Sequence, residues 1–105
     1  MTAEPVRVCA AGDIAPGAAR SFMVGTAWVG VFHTTEGWFA IGNSCPHQGL
    51  ALSDGVIEGA TVTCHGHDRC YDLVTGEGPG VNERVPCYPV DVRDGDVFVT
   101  PVRRS

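Results

Sequence analysis

A chain of 105 residues has room for one domain and one core, and 44% hydrophobic against 18% charged residues excludes a disordered polymer. Seven Arg, no Lys and twelve acids leave a net charge of −5, which argues against nucleic-acid binding, a task that needs cations to displace phosphate counterions. Fourteen Gly and seven Pro leave no stretch free of both longer than residues 67–75, so helices of ordinary length are excluded and an all-β fold is expected.

In chain order, residues 6–8 begin a short alternating strand and residues 21–24 read as another. Residues 27–33 and 38–41 are β-prone runs joined by Thr34-Thr35-Glu36-Gly37, a hairpin connection. Residues 56–57 and 61–63 read as strands that turn around Gly59. Residues 90–93 and 96–99 alternate around Asp94-Gly95, the preferred two-residue type I′ turn. Strands at such short intervals predict a small sandwich or barrel. Residues 42–55 and 64–72 read as irregular, and residues 75–86 have no periodic pattern; loops of that length in a compact domain usually serve function.

No apolar run nears the roughly 18 residues of a transmembrane helix, so no membrane association is expected. Met1 to Pro5 has neither a basic nor an apolar secretion segment, which makes the cytoplasm the expected compartment. Five Cys is an odd number, and clustered thiols in such a chain point to a metal before a disulfide. The charge is uneven: residues 36–96 hold ten acids against Arg69, Arg84 and Arg93, a balance that suits a basic partner surface.

The central motif is Cys45-Pro46-His47, then sixteen residues, then Cys64-His65-Gly66-His67. One thiolate and one imidazole on each of two loops, Cys45 with His47 and Cys64 with His67, suit either a tetrahedral zinc or an iron–sulfur cluster of mixed ligation. The hairpin of residues 56–63 would bring both loops to one end of the fold. The other candidates have plainer readings. His65 reads as an exposed tip residue and His33 as a solvated strand end. Cys9 and Cys87 read as small buried hydrophobes, Cys70 as a non-ligand, and Trp28 and Trp38 as sandwich core.

Around that motif the chain resembles the Rieske [2Fe–2S] family. The matching residues are Cys45-Pro46-His47-Gln48-Gly49, Leu52-Ser53-Asp54-Gly55, Glu58-Gly59, Cys64 with His67, Tyr71-Asp72-Leu73, Thr75-Gly76 and Tyr88-Pro89-Val90, spanning about residues 40–100. The resemblance implies a single Rieske domain over 1–105, an antiparallel sandwich with a cluster-binding subdomain inserted at about 43–76. It also implies that Cys45 and Cys64 hold one iron of a [2Fe–2S] cluster while His47 and His67 hold the other. Neutral imidazoles in place of two thiolates make such a cluster easier to reduce, over ~−150 to +300 mV across the family. High-potential respiratory members carry an extra Cys pair where this chain has Leu50 and Gly66, and a Ser where it has Arg69, which predicts a potential in the lower half of that range. Tyr71 matches their tyrosine, a donor to a cluster sulfur. Asp68 stands where most members have Gly.

A non-Gly residue there, with the stretch Gly80 to Cys87, is most similar to ferredoxins of toluene-type monooxygenases, with those of ring-hydroxylating dioxygenases close behind. The resemblance implies an electron-transfer component in aromatic hydrocarbon catabolism, not an enzyme. It would take single electrons from an NAD(P)H-dependent flavin reductase, pass them to a terminal oxygenase, and be a monomer when free. Asp54, Glu58, Asp68 and Asp72 would steer docking. Two other readings stay open: a Rieske-like small subunit of a larger reductase such as nitrite reductase, and a zinc-stabilised Cys2His2 module.

Overall fold

The computed structural model describes residues 4–44, 51–64, 69–78 and 84–102. Among them the chain is all-β, with strands β1 (Val6–Ala10), β2 (Ala18–Val24), β3 (Ala27–Thr34), β4 (Gly37–Gly42), β5 (Val56–Glu58), β6 (Thr61–Thr63), β7 (Cys70–Asp72), β8 (Cys87–Tyr88), β9 (Val90–Arg93) and β10 (Asp96–Val99). Two single-turn 3-10 segments, Ala11–Asp13 and Leu52–Asp54, are the only helical turns among the described residues.

Among the described residues all strand pairing is antiparallel and forms three sheets, ordered β1-β10-β9, β2-β3-β4-β8 and β5-β6-β7. The third sheet is inserted in the chain between β4 and β8. The middle sheet is covered on both faces. Val29 and Val31 of β3 and Ala40 of β4 pack with Cys9, Val97 and Val99 of the first sheet, which makes the expected sandwich. Phe32 and Ile41 point the other way, into a second core with Val62 and Tyr71 of the third sheet. Burial on both faces is why residues 29–32 read as one apolar run instead of an alternation.

The turn between β9 and β10 follows its chemistry: Asp94 and Gly95 both take left-handed backbone, with φ of 52° and 81°, as a type I′ turn demands. Two strands depart from the sequence-based expectation. β7 lies inside residues 64–72, and β8 follows the long loop. Both are too short to show a period, and β8 ends where Pro89 has no N–H to continue a ladder. His33 is not a solvated strand end. Its Nδ1–H donates to the Ile14 carbonyl at 2.8 Å, and its ring stacks on Trp38 with centroids 3.9 Å apart. Trp38 packs against the sandwich core as expected, but Trp28 is 38% exposed and does not.

Candidate metal centre

Of the four ligand candidates, Cys64 is among the described residues. Cys45, His47 and His67 lie outside them, as do His65, Asp68, Leu50 and Gly66. The described residues fix the bases of the loops that carry them.

The loop of residues 45–50 is closed by an antiparallel bridge between Ser44 and Ala51. Asn43 reinforces that closure. Its backbone N–H donates to the Trp28 carbonyl at 2.9 Å and its own carbonyl accepts from Leu52 N–H at 2.8 Å. Its side chain, fully buried, donates to Ser53 Oγ at 3.0 Å and accepts from Ser53 N–H at 2.8 Å. The amide thereby spans both sides of the loop base. Gly30 leaves room for it, since a Cβ there would strike Asn43 Oδ1.

The loop of residues 65–68 is closed by the Thr63–Cys70 pair of β6 and β7 and by Cys64 N–H donating to the Arg69 carbonyl at 2.6 Å. A third loop, residues 79–83, springs from a bridge between Glu77 and Arg84. Gly76 holds its base to β7: φ is +80°, its N–H donates to the Asp72 carbonyl at 2.7 Å, and its carbonyl accepts from Val85 N–H at 2.9 Å. Asp72 is occupied locally, with Oδ1 accepting from Val74 N–H and Thr75 N–H at 2.7 and 3.1 Å. That carboxylate caps a turn as well as carrying charge.

The three loop bases meet in one place. Leu52 from the first, Cys64 and Tyr71 from the second and Val85 from the third belong to a single buried apolar cluster. The motif's two halves are therefore anchored on one core. Cys64 is 2% exposed within it. A soft thiolate at the rim of an apolar core, with a fully buried Tyr71 in the same cluster, fits a soft iron–sulfur group. Cys9 and Cys87 are buried, as expected for inert hydrophobes, and Cys87 Sγ lies 3.7 Å from the Val74 carbonyl. Cys70 is exposed on β7. Asn43 and its pairing with Ser53 were missed by sequence reasoning. An Asn two residues before a candidate ligand, with a Ser ten residues on, is the one signal available.

The protein-family model for the Rieske [2Fe-2S] domain matches residues 4–90. The chain is 31% identical over 97 residues to "Ferredoxin CarAc" of Metapseudomonas resinovorans, covering 90% of this chain and 91% of that one. It is 32% identical over 96 residues to the "3-phenylpropionate/cinnamic acid dioxygenase ferredoxin subunit" of Photorhabdus laumondii, covering 89% and 90%. Among solved structures it superposes with TM-score 0.85, at 27% identity and 96% coverage of both chains, on a chain from a complex of reduced oxygenase and oxidized ferredoxin in carbazole 1,9a-dioxygenase. Nitrite reductase small subunits share the fold at 24% identity or less. With the family match covering residues 4–90, the inserted sheet and the three anchored loop bases included, the chain belongs to the Rieske [2Fe-2S] family, and its cofactor is a [2Fe-2S] cluster.

Proposed function

We propose that this chain is a Rieske ferredoxin that carries single electrons from an NAD(P)H-dependent flavin reductase to the terminal oxygenase of an aromatic-ring dioxygenase system. The observation that carries this reading is near-full-length similarity, above 30% identity, to proteins named as ferredoxins or ferredoxin subunits, including one of a dioxygenase. Likeness to nitrite reductase small subunits is weaker and speaks for the fold alone.

Residues 43–76 serve as the cluster-binding part of the single domain, with Cys45 and Cys64 holding one iron and His47 and His67 the other. The bound cluster supplies reversible one-electron chemistry at a potential raised by its two neutral imidazole ligands. The chain's own residues do the rest. Leu52, Val62, Tyr71, Leu73 and Val85 exclude water from the side of the site where Cys64 sits. The Asn43–Ser53 pair and Gly76 hold the loop bases fixed, so that little rearrangement accompanies a change of charge. The protein is a cytoplasmic monomer when free. Among the described residues, no helix is long and apolar enough to cross a membrane.

Electron paramagnetic resonance of the dithionite-reduced protein tests the ligand set. A rhombic signal with a low average g-value is expected. A signal of the all-cysteine type, or a colourless protein containing zinc, would overturn it.

A further inference from the structure

Trp28 and Met23 face each other directly across β2 and β3, and they are 38% and 65% exposed. Strand alternation sets their side. Val24 and Val29, their neighbours in the chain, point into the sandwich core, so Met23 and Trp28 lie on the opposite face of the middle sheet, the one that carries the inserted sheet. Farther along that face, Phe32 and Ala19 are covered by the second core; at the hairpin tip the cover stops. This uncovered tip adjoins the base of the first ligand loop. The Trp28 carbonyl accepts from Asn43 N–H, two residues before Cys45, and the Asn43 side chain binds Ser53, which precedes the exposed Asp54.

From this juxtaposition, and resting on the electron-carrier reading above, we infer that Trp28 and Met23 form an apolar docking contact for the oxygenase component, seated beside the base of the first ligand loop. Large exposed apolar side chains need a reason when they lie together, and Trp in particular concentrates binding energy at interfaces. Three features point to the oxygenase. A partner that receives an electron must cover the loop of Cys45 and His47, and Trp28 borders the base of that loop. Asp54 places a carboxylate on the same rim, and residues 36–96 carry ten acids against three Arg, so the occupant presents a basic rim around an apolar recess. A fold-mate of this chain is itself found in a complex of oxygenase and ferredoxin. The apolar pair supplies affinity and the carboxylates supply orientation.

The test uses cluster-loaded protein and the oxygenase component of carbazole 1,9a-dioxygenase as probe. Met23→Gln and Trp28→Gln replace exposed side chains; an unchanged visible spectrum and midpoint potential will show that the cluster end is intact. Each variant is expected to bind the oxygenase about tenfold more weakly, and to slow electron delivery to it in parallel, while its reduction by a flavin reductase stays unchanged. Wild-type affinity for the oxygenase in both variants would overturn this inference and leave the electron-carrier reading standing. Loss confined to the reductase step would assign the patch to the other partner and overturn it too. A concentration-dependent dimer of the wild-type protein that Met23→Gln dissolves would give the patch to a second copy. Failure of the wild-type protein to bind or reduce the oxygenase at all would overturn both readings together.

Discussion

Asn43 and Ser53 exchange two hydrogen bonds across the base of a ligand loop, the Asn43 amide nitrogen donating to the Ser53 hydroxyl and the Ser53 backbone N–H donating to the amide oxygen. A fully buried amide that pins two chain segments separated by ten residues is positioned to set the loop's geometry. Asn43→Leu keeps the branched shape of the side chain, with larger methyl groups in place of the amide, and leaves the Ser53 N–H without its acceptor. A cost of about 1–3 kcal/mol is expected, with faster bleaching of the visible absorption; Ser53→Ala is expected to cost about 1 kcal/mol. Urea unfolding of the cluster-loaded protein, followed by far-ultraviolet circular dichroism and by colour, checks both.

Two glycines with left-handed backbone differ in what surrounds them. At Gly76 a Cβ would strike the Val85 carbonyl, whereas at Gly59, φ +57°, nothing lies within 4 Å. Gly59→Ala is expected to cost only the conformational penalty, about 1 kcal/mol. Gly76→Ala adds a backbone clash at the base of the third loop, so a loss above about 2 kcal/mol is expected. Parallel denaturation curves distinguish the two.

Burial pushes the Cys9 thiol above its ordinary value of 9.0, with Asp13 adding to the effect and Arg20 and Arg7 opposing it. The folded state thus holds this proton more tightly than the unfolded chain does. The resulting stability is complete below about pH 9 and is lost as pH rises through the raised value. Cys9→Ala is expected to flatten the alkaline fall in the urea midpoint relative to wild type. Equal slopes in the two proteins would contradict this.

A midpoint potential in the lower half of the ~−150 to +300 mV family range is expected, because Leu50 and Gly66 rule out the loop disulfide of high-potential members and Arg69 replaces their Ser. Tyr71→Phe is expected to lower it further by about 40 mV, the equivalent of one net hydrogen bond of about 1 kcal/mol in a one-electron couple. Spectroelectrochemical titration measures both values.

Electron delivery to the oxygenase is expected to slow as ionic strength rises, since the acidic excess of residues 36–96 attracts its partner only within a Debye length, about 8 Å at physiological salt. Stopped-flow rates over a salt series provide the check; rates indifferent to salt would remove electrostatic steering.

Local chemistry made much of the fold legible. Asp94-Gly95 announced the β9–β10 hairpin and the residues around Gly59 announced β5–β6, because two-residue turns fix strand pairing nearby. What could not be read was non-local. β1 pairs with β10 at the other end of the chain, a register that no local pattern encodes. β7 is three residues and β8 two, below the length at which alternation is visible. His33 looked solvated because its partners, Ile14 and Trp38, come from other segments. Trp28 looked like core because aromatic residues usually are; only the end of the inserted sheet's coverage leaves it bare. At the candidate centre the four donor candidates stand out in the sequence by their spacing, while Asn43, which braces the loop base two residues before Cys45, carries no donor chemistry of its own.

Each of the three loops springs from a base that is paired before the loop begins: Ser44 with Ala51, Thr63 with Cys70, Glu77 with Arg84. Paired bases of this kind frame each segment from outside it. Exchanging one between family members should transplant its colour, midpoint and preference for an electron acceptor, while melting behaviour stays with the recipient scaffold.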